Sequence, residues 1–482
     1  MGMQRQLSRI RRRWVAVAPI LILASLAYLC WSLDAGWKTG LPSLGRGPLW
    51  TPDDGHTGGQ NGSLPLAPEN YHELSSLSTE DGRFFRIQFG NVSVLNPNIL
   101  PHPQIEDVYI IVGQDLQRFE ETTFREVYCY ATFKNASSGE VGVSLEGWTV
   151  LSCDYPAPPP ALPVAPTPGG ELCDGKLELM KLNKGPHDAR VFWGPTRPYA
   201  LFGSNSRFTC FGQWVQDFGD LMGWPTEFVP HGSHEEGDDV PFHVATEIQR
   251  CDGYQPLEKN FFLFWDRNGD VYVHYDIAPK RVFARLYADG SVGEDLAPLA
   301  AAPGGSDGSG DDACLARLLP KPLGEHDSVH QATNSLAVTM CRRKSDPHCS
   351  VRDDNTFLFT VFHVKRVVGW RVRYEPYALV FRRDLPFRVH AASRLPLWLR
   401  GRAHREGVDG DMLYMVSMSW RDRTQRYHGF LDDVLFLSFG VDDKAAAGMD
   451  VRAEDVLAGL ALCDEGTSTA PGLPPGRGKR AW

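Results

Sequence analysis

Residues 258–281, EKNFFLFWDRNGDVYVHYDIAPKR, decide the fold. The runs 261–265 and 270–275 are short and rich in aromatic and β-branched side chains. Between them, Arg267-Asn268-Gly269-Asp270 carries the Asn-Gly pair that suits a tight hairpin turn. Working outward, similar runs recur at 84–89, 108–112, 126–133, 189–193, 357–362 and 412–418, separated by Gly, Asp, Asn and Pro. Strands at such intervals predict an all-β sandwich, barrel or propeller. Helical periodicity is confined to 453–462. The proline-rich 156–170 and the Gly/Ala/Asp-rich 297–312 read as surface loops within one β domain spanning 71–463.

The flanks have a different character. Residues 14–33 (WVAVAPILILASLAYLCWSL) are uncharged, long enough to cross a bilayer as a helix, and preceded by Arg9, Arg11, Arg12 and Arg13. The positive-inside rule then predicts a cytosolic tail at 1–13, a signal anchor at 14–33 and a lumenal body. A cleaved signal peptide is the other reading. Residues 34–70 read as a stem and 464–482 as a disordered tail. Sequons begin at Asn61, Asn91 and Asn135. Nine of the ten cysteines follow the anchor. In an oxidising lumen they predict up to four disulfides and a free thiol, with Cys153/Cys173 and Cys341/Cys349 as plausible short-range pairs. This layout suits a single-pass type II protein of the Golgi or another secretory membrane, and equally a receptor. With 49 Lys+Arg against 59 Asp+Glu the chain carries −10. The basic residues before Asp34 all lie in the first 13 positions, so the body is more acidic still, which disfavours nucleic acid as a partner. No Cys/His spacing suggests a metal site.

Polar and aromatic groups concentrate in four segments. In Gly185–Gly194, Asp188 and Arg190 are two residues apart and would share a strand face, lowering the carboxyl's proton affinity. The same spacing also serves structural salt bridges. In the quoted hairpin, Glu258, Lys259 and Asn260 would share an end with the 274–281 stretch. The third segment runs from His330 through His363 to Tyr377, and the fourth holds His428, Asp432 and Asp433. Adjacent strand residues face opposite ways, so Asp432 and Asp433 alone make no metal site.

Taken together, the run 185–194, Asn96-Pro97-Asn98, the Glu258-Lys259-Asn260-Phe261 hairpin with Tyr275 and Pro279-Lys280-Arg281, and Thr333-Asn334 with Phe362-His363 resemble the five-bladed β-propeller superfamily of β-mannoside phosphorylases, their hydrolase relatives and β-1,2-mannosyltransferase-like proteins. The departures are His187 and Ala189, where that family carries an acid and a proline. The resemblance implies a propeller, with Asp188 as the proton-transfer residue and Arg190 beside it. It places His187, Trp193, Asn205, Arg207, Glu258, Lys259, Asn260, Tyr275, Thr333, Asn334, Tyr374, His428 and Asp432 around a sugar. Trp193, Phe261, Trp265 and Tyr275 would stack on it, while Lys280, Arg281, His363 and Lys365 would hold phosphate. No cofactor or metal is implied. Combined with the anchor, the expectation is an inverting β-mannosyltransferase using a sugar-nucleotide or sugar-phosphate donor and a glycan acceptor. The alternatives are a phosphorylase, an inverting hydrolase with Asp266, Glu375 or Asp432 as second carboxylate, or a non-catalytic carbohydrate-binding propeller.

Overall fold

The computed structural model describes residues 67–463 apart from 117–123, 136–146, 183, 226–227, 229–241, 301–309, 321–323, 325, 369–370 and 404–410. The anchor at 14–33, most of the stem and the tail lie outside the described residues. Among the described residues no helix is long and apolar enough to cross a membrane.

The body is mostly β, as predicted, and folds as successive antiparallel meanders. The first comprises Val94–Pro101, Tyr109–Asp115, Glu126–Asn135 and Thr149–Tyr155. The second comprises His187–Trp193, Pro198–Asn205, Phe211–Asp217 and Thr246–Ile248. The quoted hairpin forms as Phe262–Trp265 and Val271–Asp276, with Val282–Arg285 completing the third. The fourth is built on the long pair Thr356–Val368 and Arg371–Arg382. Ser328–Gln331 and Leu336–Thr339 lie against one edge and Val389–Ser393 and Leu460–Leu462 against the other. The fifth is Leu413–Trp420, Val434–Val441 and Ala445–Arg452, with Phe85–Gln88 as its outer strand. That early strand also runs parallel to Thr149–Tyr155, so it fastens the last meander to the first.

The strands alternate less than half-buried strands would. Pro198–Asn205 is buried at every position, and Phe262–Trp265 likewise. Sheets covered on both faces need continuous apolar runs, which explains the aromatic richness. Phe264 lies edge-on to Phe381 and Phe387, joining the third meander to the fourth. The 453–462 stretch departs from its helical expectation: a single turn, Ala453–Val456, is followed by the strand Leu460–Leu462. Pairing with Val389–Ser393 satisfies that strand's backbone better than an isolated short helix would.

Four disulfides and one free thiol, Cys251, occur among the described cysteines, matching the expected count. Cys341–Cys349 is as predicted. Cys153 and Cys173 are not partners: Cys153 bonds Cys129 on the adjacent strand, and Cys173 bonds Cys210. Antiparallel pairing of Glu126–Asn135 with Thr149–Tyr155 brings Cys129 and Cys153 to a Cα separation of 5.8 Å. Cys314–Cys463 ties the helix Asp311–Leu318 to the end of the described body.

Candidate active site

The edge strand of the second meander, His187–Trp193, opens with a register shift between His187 and Arg190. Asp188 sits in that bulge with φ 53°, a left-handed conformation unusual for a side-chain-bearing residue. Side chains from the first meander hold it there. Gln114 Oε1 accepts from the Asp188 amide at 2.9 Å and Glu126 Oε1 accepts from the Ala189 amide at 3.0 Å. Asn98 continues the tie, donating to the Ala189 carbonyl and accepting from the Val191 amide. The strand's open edge therefore meets amide and carboxyl side chains where another strand would otherwise pair.

The bulge aims the Asp188 carboxyl into a polar cluster, with its side chain 33% exposed. Asn96 Nδ2 donates to Oδ1 at 2.6 Å, while Oδ2 lies 3.0 Å from His187 Nδ1 and 4.0 Å from Lys259 Nζ. The His187 ring is held edge-on by Phe124 and Phe211. Burial opposes ionisation of Asp188, but His187, then Lys259 and Arg190, outweigh it and hold the carboxyl far below the usual range.

Two neighbouring acids behave in the opposite way. Asp443, in the turn between Val434–Val441 and Ala445–Arg452, is raised by the protein surrounding it and by the charges of Asp188 and Asp442. Its own surface is open to solvent. Glu126 is fully buried and raised well above the carboxylate range, chiefly by desolvation, with Asp188 adding to the effect. Its second oxygen, Oε2, has no hydrogen-bond partner.

Arg190 points to a different wall. Its guanidinium donates to the Asp188 carbonyl at 3.3 Å and lies 5.7 Å from the Tyr414 ring centre. The expected carboxylate–guanidinium pair on one strand face does not form, because the bulge breaks the two-residue alternation. Around Tyr414 gather Tyr374 at 4.9 Å, His363 at 5.1 Å and His330 at 6.4 Å between ring centres. Burial lowers His330 to about 4, with Lys365 and Arg190 contributing. His363 is lowered too, by burial and then by His330, and its Nε2 accepts from the Met415 amide. Both rings are neutral near pH 7. The structure thus brings together Asp188, His187, Lys259, Arg190, His363, Lys365 and Tyr374, and Asn260 adjoins Lys259 with φ 61°.

The remaining predicted residues serve other purposes. Trp193, Phe261, Trp265 and Tyr275 lie in the apolar core, leaving no ring face for a sugar. Lys280 pairs with Asp295 at the surface, and buried Arg281 bonds Asp311, His274 and the Phe387 carbonyl. Glu258 is bound by Arg250 and the Gln255 amide. Asn205 bonds the Lys181 carbonyl and Arg207 pairs with Glu247. Thr333 bonds the Val361 amide, and Asn334 exchanges two hydrogen bonds with the Met418 backbone. His428 bonds Thr339, and Asp432 accepts from the Arg343 and Lys344 amides. Of the expected second carboxylates, Asp266 closes its own hairpin turn and Glu375 is gripped by Arg373 and Arg402. Motif order places residues in neighbouring strands, but it does not say which end of a strand a side chain occupies.

Gln114, Glu126, Tyr414 and Asp443 were missing from the predicted set, and His330 was named only as the start of the third segment, without a role. Asp442-Asp443 did carry a signal. Two turn-forming residues between strands suit a hairpin with positive φ at both, and their values are 53° and 50°. Among the described residues no group of His, Cys, Asp and Glu is arranged to hold a metal ion.

No family model and no curated protein matches the chain. Among solved structures it is similar to a β-1,2-mannobiose phosphorylase from Listeria innocua, at 12% identity and TM-score 0.37 over 76% of this chain and 91% of that one. A glycosyl hydrolase from Bacteroides ovatus matches at 10% and 0.36, over 82% and 98% of the two chains. An endo-arabinase from Bacteroides thetaiotaomicron matches at 10% and 0.35, over 76% and 96%. At this level of likeness the chemistry has to be read from the side chains themselves.

Proposed function

We propose that the five meanders are blades of a β-propeller closed by Phe85–Gln88, and that the chain is a carbohydrate-active enzyme that hydrolyses a glycosidic bond with inversion. The observation that carries this reading is the bulge that aims the Asp188 carboxyl into the cluster of Asn96, His187 and Lys259, whose charges favour its ionised form, with Asp443 close enough to be pushed the opposite way by the Asp188 charge. Environments that push two carboxyls apart assign them opposite tasks.

In this reading Asp443 gives its proton to the leaving glycosidic oxygen as the C–O bond breaks. Asp188 orients a water on the other face of the sugar and accepts its proton as the new C–O bond forms. The fixed negative charge of Asp188 also favours the positive sugar centre of the transition state. A carboxyl so strongly ionised argues against Asp188 as the proton donor. Tyr374 and Tyr414 offer aromatic surface beside it, and neutral His330 and His363 offer hydrogen bonds to hydroxyls.

The mannosyltransferase reading, which rested on the anchor together with the resemblance, loses its phosphate contacts: Lys280 and Arg281 pair with Asp295 and Asp311 and do not converge with Asp188 on a donor diphosphate. A phosphorylase is the second reading, favoured by Arg190, Lys259 and Lys365 lying near Asp188 and the histidines. The sequons at Asn91 and Asn135, both exposed, and the four disulfides support a secretory location, with membrane attachment through residues 14–33. The deciding experiment supplies β-mannosides and other oligosaccharides with water alone, with inorganic phosphate and with GDP-mannose, and follows the product anomer by NMR. Release in water with inverted configuration supports hydrolysis. Strict dependence on phosphate identifies a phosphorylase, and strict dependence on the nucleotide restores a transferase. Glycan binding without turnover under all three conditions overturns the enzymatic reading.

A further inference from the structure

The strand His187–Trp193 has a second end. Five residues at the usual rise of about 3.3 Å put Trp193 about 16 Å from Asp188. There a cavity of about 650 Å³ is lined by Arg267, Arg343, Arg383, Arg426 and His428, with Asp266 as the acid on its wall. Four arginines against one carboxylate is a local reversal in a chain of net charge −10. Asp266 is occupied: its Oδ1 accepts from the Asn268 and Asp270 amides of its own turn.

Two of the arginines are already matched, Arg267 by Asp353 and Arg343 by Asp433. The other two are not. Arg426 donates to the Thr196 carbonyl and lies 5.0 Å over the Trp193 ring, and among the described residues neither it nor Arg383 forms an ion pair. Arg426 is partly desolvated without a carboxylate to compensate it. Burial, then Arg383 and Arg343 against Asp433, lower His428 to about 4, so near neutral pH the positive charge at this cavity is that of the guanidinium groups. The neighbouring cavity differs: Arg267, Arg382 and Arg388 there face Asp353, Asp354 and Asp384. Unmatched guanidinium groups beside an open cavity favour a multiply charged oxyanion, which can take paired N–H donors from each.

We propose that this cavity binds a phosphate or sulfate group, carried on a sugar ester or free in solution. Unmatched Arg383 and Arg426 supply the principal donors, and the site is separate from Asp188. A local positive cavity in an acidic protein draws in its anion by focused field rather than by net charge.

The test is calorimetric titration of the intact protein with inorganic phosphate, inorganic sulfate, a hexose 6-phosphate and a hexose 6-sulfate. Saturable binding of at least one probe is expected, weakening as salt rises. Arg383→Gln should reduce affinity by about tenfold or more, because a charge-assisted contact is removed. Arg426→Gln should do the same, and since that side chain also packs on Trp193, the melting temperature of both variants is measured alongside. Asp188→Asn should leave the affinity unchanged. Tighter binding of an ester than of the free ion identifies a substituted glycan as the source; equal binding identifies the free ion. No saturable binding by any probe, or full affinity in a folded Arg383→Gln, overturns the site. Loss of binding in Asp188→Asn places the anion at the candidate active site and overturns it equally.

Discussion

At the scale of single residues, the site is governed by where protons reside. Asp188→Asn keeps the Asn96 contact but removes the negative charge. Turnover should fall by roughly 10²–10⁴-fold with little change in substrate binding, measured as kcat against KM. Asp443→Asn should give a loss of similar order that is smallest for substrates with activated leaving groups, since those need no proton donor. Glu126 makes a separate statement about stability. Burial raises its folded proton affinity well above that of a solvated carboxyl, about 4.5, so from that pH upward the native state holds a proton that the unfolded chain has released. Stability should therefore decline as pH rises through this window. Glu126→Gln, which keeps an acceptor for the Ala189 amide, should flatten that decline in denaturant melts across pH 5–8. A wild-type profile without the decline would contradict a protonated Glu126.

At the scale of elements, two asparagines do the same work in different meanders. Asn98, on Val94–Pro101, bonds one backbone group each of Ala189 and Val191 on the next meander's edge strand. Asn334 bonds both backbone groups of Met418 on Leu413–Trp420. Each leaves two buried backbone groups unsatisfied if truncated. Asn334→Ala should cost on the order of 2–4 kcal/mol by denaturant titration, from about 1–3 kcal/mol per orphaned group with partial relaxation. Asn98→Ala should cost as much and also reduce turnover, because the Asp188 bulge hangs from the same strand. Asn334 was singled out in the sequence as a sugar ligand. An amide that bonds a substrate and one that bonds a backbone are the same residue in a motif until burial is known.

At the scale of the whole molecule, closure depends on a short strand. Phe85–Gln88 pairs with Ala445–Arg452 on one side and Thr149–Tyr155 on the other, joining the beginning of the body to its end. A chain beginning at Asn91 should expose the apolar edges of both meanders and aggregate or bind a hydrophobic dye, whereas one beginning at Pro68 should stay monomeric in gel filtration. A soluble, cooperatively unfolding protein starting at Asn91 would show that closure does not need the strand.

The all-β class, eight strand positions and the hairpin at 267–270 were legible in the amino-acid order. So was the run 185–194 as a place where polar and aromatic side chains concentrate. Turn chemistry and apolar periodicity are local, and strands covered on both faces announce themselves as aromatic runs. Tertiary structure alone decided three things. It paired Cys129 with Cys153 through strand neighbours, and it sent Lys280, Arg281 and Trp193 away from Asp188. It also brought Glu126, His330, Tyr414 and Asp443 into the site from strands and turns far apart in the chain. The physical reason lies in the bulge at Asp188. One unpaired residue reverses which face a side chain takes, and its position is set by Gln114, Glu126 and Asn98, side chains contributed by a different meander.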